Sequence, residues 1–244
     1  MTAIVVIPLD KSIIFAADGI AYDPATGKAG GYRSKIELLP HLDCIIGTAG
    51  CGGMAQALNM AMSVADGFST FDEIVDRMPE LAEYTYGELV KTGRTGGYSS
   101  LVVFGGWSQE RQRFEAYKLR SEDYPAARGT DEVEAWRCYE IDGAWLSTTP
   151  DPETLRRFDL YSNEGSPLDY AARAVCAARS ISGLMEDPIT GEKIHYAAGG
   201  FLQMAELRRG HISSWIAHRW PDTAGESVDP SSGEPMPAFP LQRP

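Results

Sequence analysis

The chain has 244 residues, 43% of them hydrophobic and 23% charged, with a formal net charge of -12 and a pI near 4.8. At this length one domain is the default, and so acidic a chain excludes nucleic acid and anionic membrane as partners, because a phosphate-binding face needs a positive stripe. The cysteines Cys44, Cys51, Cys138 and Cys176 lie too far apart for a zinc pattern, so they are expected to be reduced, buried thiols, with no metal and no cofactor.

The first elements predicted are two apolar runs, residues 3–7 (AIVVI) and 12–17 (SIIFAA), separated by PLDK and therefore a β-hairpin. A Gly-rich loop, YDPATGKAGGY, leads to a second hairpin of SKIELL and DCIIGTA joined by PHLD. GCGGMAQALNMAMSVADG then changes to helical spacing, with Met54, Leu58, Met62 and Ala65 on one face. TFDEIVDRMPELAEYTYGELVKTG is a second helix, with Thr70 as N-cap, Glu73 completing a capping box, and Pro79 placed to bend it.

Strands resume at SSLVVFGGW and RFEAYKL, and again at AWRCYEID and GAWLST. PDPETLRRF starts a short helix with Asp151 as cap and Pro152 at its first position. SPLDYAARAVCAARSIS is a stronger helix, capped by Ser166, with Asp169 in the capping-box position. KIHYAAGGFLQMAEL, a turn RRGH, and ISSWIAHRW return to strand. Residues 221–244 hold six prolines and little periodicity, so a domain over 1–220 and an extended or disordered Pro-rich tail over 221–244 are expected. Blocks of strands alternating with pairs of helices favour an α+β layered sandwich of antiparallel sheets. With no basic leader ahead of an apolar stretch and no apolar run approaching 18 residues, a cytoplasmic protein is expected.

Thr2 on the first strand, AADG ending the second, SKIELL on the third and IIGTAGCGG running into a helix together resemble the N-terminal-nucleophile (Ntn) hydrolases, and among them the proteasome β-subunits and their bacterial relatives. YAAGGFLQMAELRRGHISSW is similar to that family's late hairpin, so the resemblance spans roughly residues 2–65 and 193–218. It implies a four-layer αββα sandwich of two antiparallel sheets, and an activity that cleaves a peptide or other amide bond through an acyl-enzyme on Thr2. Removing Met1 would free an α-amine whose ordinary pKa, near 7.7 to 8.0, suits it to take the hydroxyl proton. The resemblance gives Asp18 the task of holding Lys35 as a cation, Lys35 that of favouring the alkoxide, and the Gly50 N–H that of an oxyanion donor. Glycines at 47, 50, 52 and 53 leave the backbone open to close approach. A homo-oligomer, such as a ring, is also implied, with the Met54, Leu58, Met62 face as a candidate contact.

The late stretch departs from the family pattern. Where that pattern has an Asp and, three residues on, a Ser, this sequence has His195 and Ala198, followed by the retained Gly199 and Gly200. His195 and Ser147 are the candidate supporting groups. The departure, together with the Pro-rich tail, supports an alternative reading as a catalytically silent subunit of the same fold, structural or for assembly, as in a phage-like particle. Cys51 lacks any nearby His or basic partner in sequence, so a small buried thiol accounts for it.

Overall fold

A computed structural model describes residues 2–23, 26–64, 67–123, 133–162, 165–181, 183–186, 193–196, 198–228, 237 and 239–241, the backbone alone in 183–186 and 193–196. The apolar runs at the start form β1 (Ile4–Leu9) and β2 (Ser12–Asp18), paired antiparallel from Ile4↔Ala17 to Leu9↔Ser12. β3 (Ile20–Tyr22), which ends at the first residue of the Gly-rich stretch read as loop, and β4 (Ala29–Tyr32), inside that stretch, pair as a small separate sheet. Next come β5 (Ile36–Leu39), a single 3-10 turn over Pro40–Leu42, and β6 (Cys44–Gly50), the hairpin expected from PHLD.

The helices α1 (Met54–Val64) and α2 (Phe71–Lys91) follow. Thr70 caps α2 through Glu73 N–H, and the Glu73 side chain accepts in return from the Thr70 N–H, a box of the kind that contributes about 1 kcal/mol. Then come β7 (Ser100–Ser108) and β8 (Arg113–Arg120), a long antiparallel pair. AWRCYEID and GAWLST yield only two residues of strand each, β9 (Tyr139–Glu140) and β10 (Trp145–Leu146). They go to different sheets, β9 beside β8 and β10 beside β1, so this segment crosses between layers.

Asp151 and Ser166 cap α3 (Pro152–Arg157) and α4 (Pro167–Arg179), each with its proline at the first position. KIHYAAGGFLQMAEL is not one strand. Its start, β12 (Lys193–Tyr196), pairs with β11 (Gly183–Glu186) apart from the main sheets, and only Phe201–Arg208 continues as β13, paired with β14 (His211–Arg219). The break falls at Gly199 and Gly200, the latter at φ +76°, a conformation that glycine adopts without strain.

Two five-stranded antiparallel sheets, ordered β10-β1-β2-β13-β14 and β5-β6-β7-β8-β9, make the body of the protein. Strand alternation divides their side chains among three cores. From β1, Ile4 and Val6 pack between the sheets with Phe15, Ile45 and Val103, while Val5 and Ile7, with Ala3 just before the strand, face α4. From β6, Ile45 faces the other sheet, while Cys44 and Ile46 face α1 and α2. This gives the layer order α4, sheet, sheet, α1 with α2, the αββα sandwich expected. It also explains why β1 and β2 read as continuous apolar runs, since strands covered on both faces need no polar alternation. Ala171, Ala172, Ala174, Ala177 and Ala178 are all buried along α4, small enough to seat the helix close against β1 and β2.

Two further expectations need correction. Met54, Leu58 and Met62 are buried in the α1–α2 core, so they offer no face to a neighbour; Ala65 lies outside the described residues. The apolar groups left open on these helices are Met60, Val64, Tyr84 and Val90, because α1 packs on the sheet through one stripe only. The described part of the tail is tied to the body at several points, although residues 223–227 are exposed. Phe239 and Leu241 pack against the α4 core, and the Leu241 N–H donates to Asp169 Oδ1 at 2.7 Å, taking up a carboxylate expected to close the α4 capping box. Ala29 and residues 225–226 also exchange backbone hydrogen bonds, Gly225 N to Ala29 O at 2.7 Å and Ala29 N to Glu226 O at 2.9 Å. Residues 229–236 lie outside the described residues.

Candidate active site

β1 begins just after Thr2, and β2 runs back along it to end at Asp18. The antiparallel register puts the Asp18 N–H on Ala3 O at 3.2 Å, so residues 2–3 and 18 adjoin. Asp18 is fully buried, and each of its oxygens is occupied. Oδ1 accepts from the Ala3 N–H at 2.9 Å and from Lys35 Nζ at 2.7 Å; Oδ2 accepts from the Gly199 N–H at 3.1 Å and the Ile20 N–H at 3.3 Å. A buried carboxylate is costly unless paired and hydrogen-bonded, and this one has a cation and three amides.

Lys35 immediately precedes β5, and its carbonyl accepts from Thr48 N–H of β6 at 3.1 Å. This pairing carries the ammonium inward, where it is 3% exposed. Burial pulls the Lys35 pKa below the ordinary lysine value, Asp18 opposes that shift by charge and hydrogen bond, and the Arg33 charge adds to the lowering. Because Ala3 N and Lys35 Nζ bind the same carboxylate oxygen, the cation lies two hydrogen bonds from the Ala3 amide, the residue next to Thr2. Thr2 itself is half-buried. Met1, whose removal would free its amine, lies outside the described residues.

Ser147 follows β10 and meets the same strand start. Its hydroxyl donates to Thr2 O at 2.8 Å and accepts from the Ile4 N–H at 2.9 Å, and its own N–H donates to Ile4 O at 2.9 Å. Ser147 thus brackets Thr2 and Ile4 from the strand edge. Gly50 ends β6, exposed, at φ +84°, where any Cβ would overlap Ser99 O. The chain turns there through Cys51 to Gly53 into α1. His195 lies in β12 opposite Leu184, and its side chain is outside the described residues. Ala198 is wholly buried in the α4 core.

Thr2, Asp18, Lys35 and Ser147 are therefore brought together by four separate strand segments. Sequence reasoning missed the amides of Ala3, Ile20 and Gly199 that hold Asp18. The Gly-Gly pair was a signal for the last of these, but its use depends on the Leu202↔Asp18 register between β13 and β2. It also missed Arg33, which lowers the Cys51 pKa against a larger rise from burial; the net effect is upward, so Cys51 stays a thiol. Among the described residues no group of three or more His, Cys, Asp or Glu could hold a metal ion, and no helix is long and apolar enough to cross a membrane. A pocket of about 230 Å³, lined by Ile7, Leu9, Leu160 and Tyr170 among others, lies at the far end of β1 from Thr2.

No family model and no curated protein matches the sequence. Solved structures do resemble it in fold. A Gly-1 mutant of Anbu from Hyphomicrobium sp. strain MC1 is 13% identical, with 93% of this chain and 90% of that one covered at a TM-score of 0.57. Anbu from Yersinia bercovieri, described as an ancestral beta-subunit, is 10% identical, with 90% and 88% covered at a TM-score of 0.56. At such identities the likeness establishes architecture alone: the chain shares the αββα sandwich of these structures, the Ntn-hydrolase fold.

Proposed function

We propose that the protein is an N-terminal threonine hydrolase that cleaves a peptide or other amide bond. The observation that carries this reading is the shared Asp18 oxygen, which ties a buried Lys35 cation to the backbone beside Thr2. Once Met1 is removed, the α-amine takes the proton of the Thr2 hydroxyl, directly or through water, as the oxygen attacks the substrate carbonyl. The Lys35 charge favours the alkoxide, and the Gly50 N–H, near the start of α1, donates to the tetrahedral oxyanion. Collapse breaks the C–N bond, the leaving amine carries off the proton, and an ester on Thr2 remains. Water, deprotonated by the same amine, hydrolyses that ester and restores the hydroxyl. Ser147 fixes the carbonyl of Thr2, and His195 is the second supporting group. The domain runs from 1 to 220, with the Pro-rich segment 221–244 fastened to it through Asp222, Gly225, Glu226 and Leu241.

The test is the intact mass of the purified protein, before and after treatment with a peptide β-lactone. The expected species is lighter by one methionine and gains one acyl group, lost in Thr2→Ala. Thr2→Ala, Lys35→Ala and an N-terminally blocked chain should each abolish turnover, with losses that do not add, since hydroxyl, amine and cation act as a unit. A chain that keeps Met1, or one that loses it without acquiring an adduct, overturns the reading in favour of a silent subunit. That second reading is favoured by Ala198, an apolar group where the family pattern has a hydroxyl. Under either reading the protein is a homo-oligomer, with Met60, Val64, Tyr84 and Val90 as the exposed apolar groups of the α1–α2 layer. A monomer by light scattering at micromolar concentration contradicts that.

A further inference from the structure

The turn formed by Ala198, Gly199 and Gly200 is gripped from two sides. On one side the Gly199 N–H donates to Asp18 Oδ2 at 3.1 Å. On the other the very next amide, Gly200 N–H, donates to Asp222 Oδ2 at 2.6 Å. Asp222 lies two residues beyond Trp220, in the segment after β14. Its carboxylate is bound in a fork by Arg179, the last residue of α4, with Nη1 to Oδ2 at 2.9 Å and Nη2 to Oδ1 at 2.8 Å. Arg179 Nη1 also donates to Ala198 O at 2.8 Å, so the same guanidinium holds both the tail carboxylate and the turn.

This clamp is enclosed. The side chains are 6% and 5% exposed, the guanidinium carbon stands 4.9 Å over the Trp220 ring, and the Tyr32 hydroxyl donates to the Asp222 carbonyl. A Cβ on Gly199 would come within 2.5 Å of Asp222 Oδ2 and 2.8 Å of Arg179 Nη1, so the turn must be glycine for the grip to close. A bidentate Arg–carboxylate pair fixes orientation as well as distance. Out of water it has few competing partners. The Gly199 carbonyl in turn accepts from the Gly19 N–H at 3.0 Å, next to Asp18 itself. The turn that carries Ala198, where the resemblance leads one to look for a Ser, is thus anchored by groups from α4 and the tail.

We propose that Arg179 and Asp222 are positioning residues that hold the Ala198–Gly200 turn, and through the Gly199 N–H hold Asp18 in line with Lys35 and Thr2. The inference rests on the threonine-hydrolase reading for its catalytic consequence. It makes the segment after the last strand a working part of the site, since deleting it removes Asp222 and frees the turn.

The test uses the full chain with Met1 removed, labelled by a peptide β-lactone. The Thr2 oxygen attacks the lactone carbonyl, the ring C–O bond opens, and the released alkoxide takes the proton. At saturating probe, Asp222→Asn should acylate about 10- to 100-fold more slowly, the loss expected of a misplacement of about 1 Å, with the half-saturating concentration unchanged. Asp222→Glu and Arg179→Lys, which keep the charges, should recover part of the rate, and they carry the test if Asp222→Asn does not fold. The second readout is the titration of Lys35 Nζ by ¹⁵N NMR, which should move below its wild-type midpoint as Asp18 is loosened. Wild-type acylation rate and wild-type Lys35 titration in the folded variants overturn the clamp while leaving Thr2 as the nucleophile. Failure of the wild type to react overturns the hydrolase reading instead, and the clamp is then decided by the Lys35 titration alone, displaced if it holds Asp18 and unmoved if it does not.

Discussion

Lys35 Nζ donates to Asp18 Oδ1 at 2.7 Å with the two side chains 3% and 0% exposed, an ion pair almost wholly removed from water. Removing one partner of such a pair leaves an uncompensated buried charge, which costs about 3 to 5 kcal/mol. Asp18 keeps three amide donors, so Lys35→Met is expected near the lower end of that range, about 3 kcal/mol in urea unfolding. The pH dependence has a definite sign. Burial holds the folded Lys35 pKa below the unfolded one, so the unfolded chain binds more protons between the two values. The wild type therefore gains stability over Lys35→Met as pH rises from the folded pKa towards about 10.4, the ordinary lysine value. A difference between the two proteins that shrinks over that window contradicts the assignment.

Ser147→Ala removes a donor to Thr2 O and an acceptor for the Ile4 N–H. Both backbone groups lose a partner at a part-buried strand edge, which costs about 1 to 2 kcal/mol. Thr2 acylation should slow with it, because the carbonyl of Thr2 is no longer pinned. A variant as stable as the wild type by thermal melting, with unaltered labelling by the β-lactone, would show that Ser147 serves neither purpose.

Gly50→Ala combines a positive φ of +84° with a Cβ that overlaps Ser99 O. Strain of the first kind alone costs roughly 1 to 3 kcal/mol, and the overlap forces the turn between β6 and α1 to move. The expected result is a destabilised protein with slow acylation. If the melting temperature is unchanged, the turn is more pliable than its geometry implies.

The thiols provide a test independent of the reaction. Burial raises the pKa of Cys138 and Cys176 to about 12 and that of Cys44 further, and Cys51 is only 1% exposed. Alkylation by iodoacetamide at pH 8 should be slow for all four in the folded protein and fast in denaturant, since the thiolate is the reactive form. Cys51→Ala should leave Thr2 labelling at the wild-type rate. Loss of labelling in that variant would move the nucleophile to Cys51. Because these folded pKa values lie above the unfolded thiol value of about 8.5, stability should also fall as pH rises beyond it.

Features that depend on a few neighbours along the chain could be read before any packing was known. Apolar runs such as AIVVI and SIIFAA became strands covered on both faces, and Thr70, Asp151 and Ser166 capped the helices read from them. Hydroxyl and carboxylate caps act within three residues, and strand burial needs only an unbroken apolar surface, so both are written locally. Thr2, Asp18, Lys35, Gly50 and Ser147 were legible as candidates, though only in company with a recognisable order of motifs.

Tertiary structure alone decided which groups surround them. The Gly199 amide reaches Asp18 across 181 positions, and Arg179 meets Asp222 across 43. Neither pair leaves a local mark, because a buried hydrogen bond is selected by which strands end side by side. The same reason accounts for KIHYAAGGFLQMAEL, where a continuous apolar reading hid a break at Gly200, and for AWRCYEID and GAWLST, whose short strands parted to different sheets. A period of two tells that a residue is covered, and the packing of whole layers determines what covers it.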